Sequence, residues 1–364
     1  MEGPRSPRET EFPQVLNFLN ESLRSEVNWS IAAEYPTALT PQNIHNMHII
    51  SEGDRVLSHG VLKPLIIKTP HAILKVGAIG SIVTDENHRG RGLSTQIING
   101  CLKTASSQQC DIAILWTDLF DFYRKMGFEL AGSEVSFVIE DNFTAPQIEG
   151  LKFMSDTKVA PDAIHRLYSL HTVSSVRTIE ETRKFISIPK TKIYTAWESN
   201  GQLAAYAVEG KGADLGGYIH EWGGSTSKLL ALLSFIRKEK NQPFTIICPA
   251  HSVNLINHLK TKPVTVNNGF LGMIKIIHFD QLSAKIKRAF RAEGIADIVL
   301  EKSVDHFVFG IGQELITIKE EQDLVRLLFG PLDYKTLGIF KDETCDKLTK
   351  ILPLNLWVWG WDSI

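Results

Sequence analysis

Arg89, Gly90, Arg91, Gly92, Leu93, Ser94 and Thr95 follow an apolar strand-like run, ILKVGAIGSIVT (residues 73–84), and open a segment with helical patterning. Glycines at 90 and 92 let the main chain approach an anion without Cβ clashes, and the amides of residues 90–95 then point inward. A helix beginning near Leu93 adds the positive end of its dipole at the same place. A strand, an amide-rich turn and a helix start in that order make a cradle for a pyrophosphate. Further on, FYRKMGFEL (122–130) carries Tyr123 ahead of a glycine-ended helix. A phosphate cradle next to a Tyr-bearing segment suggests chemistry on a phosphorylated cofactor. The bland alternatives are a solvated arginine turn and a half-buried packing aromatic.

Other phosphate motifs fail on particular residues. A P-loop needs GxxxxGK[ST], and no lysine follows either glycine; a dinucleotide fingerprint needs a third glycine, and position 95 is Thr. What remains is R-x-x-G-x-(G/A), here Arg89-Gly90-Arg91-Gly92-Leu93-Ser94. With this loop the chain resembles the GCN5-related N-acetyltransferases (the GNAT family), although Ser94 stands where the family has Gly or Ala. The resemblance extends over residues 5–140. It implies acetyl-CoA as co-substrate, its pyrophosphate on Arg89, Gly90, Arg91, Gly92, Leu93, Ser94 and Thr95. The pantetheine arm would pair with the main chain of Ile82, Val83 and Thr84 like an added strand. It places Tyr123 as general acid and a main-chain N–H near Val83 as oxyanion donor. The acceptor would be a primary amine of a small molecule or peptide. Trp116 and Asp118 would line its cleft, with a structural role as the alternative.

The elements that must position these residues are readable from periodicity. Phe12, Val15, Leu16, Leu19 and Leu23 recur at helical spacing. Residues 47–67 read as two strands about Glu52-Gly53-Asp54, and Leu93, Ile97, Cys101, Leu102 and Ala105 mark one helix face. Glu134–Ile139 closes this unit as a strand. The order then repeats: a hairpin about Asn200-Gly201, a strand at 218–222, a helix at 228–235, a strand at 244–248, a helix at 252–259 and a final strand at 271–277. In the repeat GGSTSK (223–228) replaces the arginine-glycine turn, so the second unit reads as a copy without the phosphate cradle. Residues 278–364 hold a basic amphipathic helix, short strands, a helix near 320–328 and a tail rich in tryptophan that should pack rather than hang free.

The fold class is therefore α+β with mixed central sheets. The resemblance extends to the subgroup typified by enhanced intracellular survival proteins. It implies an active GNAT-like domain (1–145), a degenerate second one (146–277) and a smaller sterol-carrier-like domain (278–364). In that subgroup the terminal carboxylate enters the active site. Ile364 is thus one candidate for the base that deprotonates the amine, Asp118 is another, and a simply packed tail is the alternative. A homo-oligomer is expected on the same ground. A non-catalytic CoA-responsive or lipid-carrier binding protein is the competing function, supported by the motif-free second unit.

Composition narrows the field. At 364 residues, 43% hydrophobic, 22% charged and net charge −2, the chain is a multidomain globular protein with no global field for nucleic acid or an acidic membrane. The four cysteines, Cys101, Cys110, Cys248 and Cys345, show no metal-type pairing, and the twelve histidines offer no third ligand at sensible spacing. No metal is expected. No window approaches a membrane span and the N-terminus lacks the apolar core of a signal peptide, so the cytoplasm is the expected location.

Overall fold

The computed structural model describes residues 1–155 and 158–364. The first unit runs through strand β1 (Glu2–Arg5), helices α1 (Phe12–Leu23) and α2 (Ile31–Glu34), strands β2 (Met47–Glu52), β3 (Arg55–Lys68) and β4 (Ile73–Thr84), and helix α3 (Leu93–Ser107). It continues with strand β5 (Ile112–Leu115), helix α4 (Phe120–Arg124) and strands β6 (Glu129–Ala131) and β7 (Glu134–Ile139). The second unit opens with β8 (Lys152–Ser155), α5 (Pro161–Tyr168), β9 (Ser174–Ser175) and α6 (Ile179–Ile186). It then has β10 (Lys192–Trp197), β11 (Leu203–Lys211), β12 (Asp214–Gly224), α7 (Thr226–Lys240), β13 (Phe244–Pro249), α8 (Val253–Lys260), β14 (Val264–Gly269) and β15 (Gly272–Ile276). The last part holds α9 (Phe279–Ala292), the antiparallel sheet β16 (Ile298–Lys302), β17 (Phe307–Ile311) and β18 (Glu314–Ile318), and α10 (Glu321–Phe329).

The duplication expected from sequence is present in the sheets. One sheet has the order β1-β2-β3-β4-β5-β15-β6, with β9 beside β3; the other has β14-β7-β13-β12-β11-β10-β8. Each contains one parallel pair among the described residues, β4–β5 and β12–β13. A parallel pair needs a crossover, and each is bridged by a helix of 15 residues, α3 or α7. The apolar face of α3 (Leu93, Ile97, Cys101 and Ala105) is buried as its periodicity requires.

The two units exchange strands, which the sequence did not reveal. Glu134–Ile139 was expected to close the first sheet; it lies in the second, between β13 and β14, with Phe137 opposite Ile246 and Val266. In return β15 inserts between β5 and β6, with Ile274 opposite Ile114 and Glu129. Alternation along β7 (Val135, Phe137 and Ile139 buried) specifies which face is covered, not which sheet supplies the neighbours. One hydrophobic core accordingly runs through both sheets, joining Val76 and Ile114 to Phe137, Ile246 and Ile274.

The tail packs as its composition suggests. Trp357, Trp359 and Trp361 are all buried, and Trp359 meets Trp222 edge to face at 5.1 Å between ring centroids. No helix among the described residues is long and apolar enough to cross a membrane.

Candidate active site

Strand β4 makes the opening. It pairs with β5 at Val76, Gly77 and Ala78 and then parts from it. On its other edge the register with β3 slips between His59 and Val61, and Ser81 takes φ 49°. The main chain of Ser81 and Ile82 is thereby left outside both ladders. His59 fixes this bulge: its Nδ1 lies 2.9 Å from the Ser81 carbonyl oxygen, which can only accept, so Nδ1 carries the proton. Burial holds the ring neutral, its pKa lowered to about 4.

Beyond the bulge the strand runs into the glycine turn. Gly90 (φ 77°) and Gly92 (φ 74°) both adopt left-handed backbone, and a Cβ at either would meet nothing within 4 Å. The turn is therefore open on its glycine side, and the first amides of α3 have no partner within their own helix. Ser94 is not free to serve a ligand alone: its Oγ lies 2.8 Å from Thr84 Oγ1, which is 2.8 Å from Ser58 Oγ. This hydroxyl chain staples β3, β4 and the start of α3. Arg89 and Arg91 are exposed, and among the described residues their side chains make 3.4 Å contacts to Glu86 and the Asn87 carbonyl. Open glycines, unpaired amides and two loose guanidiniums fit a diphosphate.

Tyr123 comes from α4. Its ring stands edge-on to Phe122 and Phe128, at 5.0 and 5.9 Å, and is only 6% exposed. Burial pushes its phenol up to about 12, with a smaller push from Cys101. The phenol therefore keeps its proton throughout the neutral range.

Tyr123, the bulge and the chain's last residue share one cavity of about 560 Å³. The main-chain carbonyl carbon and oxygen of Ile364 lie against Gly80, so close that a Cβ there would sit 2.6 and 2.7 Å from them. Trp116 lines the same cavity, half-buried; Asp118 is exposed and lies off the lining.

Other lining groups were missed by the sequence reading because tertiary packing alone delivers them. Lys211, Asp214 and His220 arrive on the β11–β12 hairpin of the second unit, and Arg24 and Tyr35 come from the α1–α2 region. Arg24 is neutralised by Glu34 at 2.7 Å and Asp214 at 3.1 Å, and Asp214 also accepts the Tyr35 hydroxyl. Lys211, buried, donates to the carbonyls of Gly360 (2.9 Å) and Ser363 and stands 4.8 Å from the Tyr35 ring centroid. Burial draws its pKa down to about 7, against the pull of Asp362 and Asp214. Below it Arg177 clamps Glu221 (2.7 Å) and the tail's Asp362 (2.7 Å), stacked 3.9 Å over Tyr168. The second unit thus grips the tail that ends on Gly80.

In the second unit the equivalent wedge is closed. The Trp222 indole N–H reaches from β12 to the Ile247 carbonyl on β13 at 3.0 Å, across the gap that stays open in the first unit. Among the described residues no group of three or more His, Cys, Asp or Glu is placed to hold a metal ion.

The sheet parts between β4 and β5 beside a cavity that holds the buried phenol, and the open glycine turn follows on the same stretch of chain. Residues 4–131 match the model of the acetyltransferase (GNAT) domain, so this first part of the chain is similar to the GNAT acetyltransferases. No curated protein matches it significantly. Solved structures with the same layout include a GCN5-related N-acetyltransferase from Anabaena variabilis, 15% identical, covering 99% of each chain with a TM-score of 0.68. A probable N-acyltransferase from Enterococcus faecalis, 13% identical, covers 97% of this chain and 98% of its own at 0.67. Eis1 from Mycobacterium abscessus, 11% identical, covers 99% of each at 0.63. At such identities the likeness is one of fold, and it extends over nearly the whole chain.

Proposed function

We propose that the protein transfers an acetyl group from acetyl-CoA to a primary amine by direct attack within the cavity of Tyr123, Gly80 and Ile364. The observation that carries this reading is that the end of β4 holds a bulge on the wall of the cavity of a buried, protonated phenol and leads, through a short turn at Glu86–His88, to the open glycines ahead of α3. The thioester supplies the acyl group. The amides of residues 90–95, with Arg89 and Arg91, hold the diphosphate. The free edge of β4 at Ile82, Val83 and Thr84 aligns the arm, and a main-chain N–H beside the bulge faces the developing oxyanion. The amine nitrogen bonds to the carbonyl carbon, the C–S bond breaks, and Tyr123 gives its Oη proton to the departing sulfur. Burial raises the basicity of that thiolate as it raises the phenol, which keeps the transfer matched. The proton lost by the amine passes to the Ile364 carboxyl, directly or through water.

A protein that only binds CoA or a lipid has no use for a phenol held at the end of the cofactor strand. We further assign residues 278–364 a sterol-carrier-like role on length and element content. The four free, buried cysteines suit a reducing compartment.

The test is CoA release from acetyl-CoA across a panel of polyamines, aminoglycosides and lysine peptides, read with a thiol reagent. Turnover with at least one amine is expected, and Tyr123→Phe should lower kcat by about 10²–10⁴-fold while acetyl-CoA affinity holds. Binding of acetyl-CoA without release across the panel, or full turnover by the Phe variant, refutes the respective part.

A further inference from the structure

The strand exchange does more than join two sheets. The chain leaves the first sheet at Gly132 and Ser133, and re-enters it through Phe270 and Leu271. These crossings lie side by side: the Leu271 N–H donates to the Ala131 carbonyl at 3.1 Å, and Gly132, at φ 76°, packs against the Leu271 side chain. Glu134, the first residue of β7, is set by this junction on the wall of the Tyr123 cavity, which Trp116, Ile247, Phe270 and Trp357 also line. Neither unit alone could put a carboxyl there.

Apart from the Ile364 carboxylate, which lies against Gly80, Glu134 differs from the other charged groups of that cavity. Arg24 is shared between Glu34 and Asp214, Asp214 also accepts the Tyr35 hydroxyl, Lys211 is tied to tail carbonyls, and His220 is held neutral by burial. Among the described residues the Glu134 carboxyl has neither a hydrogen bond nor an ion pair, and burial alone shifts it. The residues facing it across β13 and β14 are Pro249 and Gly269, which carry no charge, and the neighbouring Cys248 thiol is pushed upward by burial. An unpaired carboxyl walled by aromatic and aliphatic side chains is a subsite for a cation on an apolar body.

We propose that Glu134 is the specificity-determining residue of the acceptor subsite, holding the acceptor's ammonium group while Trp116, Phe270 and Trp357 cover its apolar body. This deepens the acetyltransfer reading and rests on it for the word acceptor. Burial raises the Glu134 carboxyl to about 7. Its ionised fraction therefore grows as pH rises from 6 to 8, while an alkylammonium stays charged. Affinity for the cation must rise over that interval and affinity for an uncharged isostere must not.

Titration of the full chain with phenethylammonium and with phenethyl alcohol, followed by tryptophan fluorescence, tests this without any turnover. At pH 8 wild type should prefer the ammonium by about tenfold, the preference should shrink toward pH 6, and Glu134→Gln should abolish it. Acetyl-CoA titration reports that the variant is folded. A preference that survives Glu134→Gln, or equal binding of amine and alcohol by wild type, overturns the assignment. The CoA-release panel fails or succeeds separately: no release with intact charge selectivity removes the enzyme and keeps the subsite, and release with no selectivity does the reverse.

Discussion

At Gly80 a missing side chain does the positioning. The Ile364 carbonyl occupies the space a Cβ would need. Gly80→Ala must therefore push the end of the tail out of the cavity or distort β4. The tail is the softer of the two, because the strand is fixed by its pairing with β3 on one edge. Kinetics should show a kcat loss of about tenfold or more and unchanged acetyl-CoA affinity, with a stability change of about 1–3 kcal/mol at most. Unaltered kcat would show that Ile364 packs at the site without serving it. Tyr123 illustrates the complementary case, in which surrounding bulk rather than its absence sets the chemistry. Phe122 and Phe128 stand edge-on to the ring, and burial keeps the phenol protonated through the neutral range.

At the level of elements, the glycine turn was legible as structure because its physics is local: a strand, two left-handed glycines and a helix start lie within one stretch of chain. The helical faces of α1 and α3, with Val15, Leu19, Ile97 and Cys101 buried, were legible for the same reason. Tail burial followed from three tryptophans. Lys211 was not legible, since a lysine at a hairpin end reads as solvated until the tail is seen to cover it. Arg177 was hidden likewise, its partners Glu221 and Asp362 being distant in sequence. That clamp gives a sharp expectation. Arg177→Met leaves two carboxylates buried without a cation, which should cost about 3–5 kcal/mol. Urea denaturation measures it, and a loss below about 1 kcal/mol would mean that water enters the clamp. With the tail loosened, kcat should fall while the glycine cradle still binds acetyl-CoA.

For the molecule as a whole, acid and the cut chain are the informative stresses. His220 is buried with its pKa lowered to about 3, whereas in an unfolded chain it titrates near 6.5. Between those values the unfolded chain takes up a proton that the native state refuses, so stability falls as pH falls through that window. Each such histidine contributes a slope of about 1.4 kcal/mol per pH unit. Wild type compared with His220→Asn by urea titration at pH 7, 6 and 5 isolates it from the opposing carboxyls, and equal slopes would contradict it. Exchange of β7 for β15 sets the stronger condition. Residues 1–145 alone would keep β7, with Val135, Phe137 and Ile139 exposed, and would lack the strand that joins β5 to β6. Two unpaired edges and an apolar strand in water drive aggregation, not folding. Expressed alone, 1–145 should be insoluble or molten and bind no acetyl-CoA; co-expressed with 146–364 it should recover both solubility and binding. The intact chain should melt in one cooperative step across both sheets. A soluble 1–145 fragment with its own sharp transition would mean that β7 can fold back into the slot β15 fills, and that the two units were joined by exchange without becoming dependent on it.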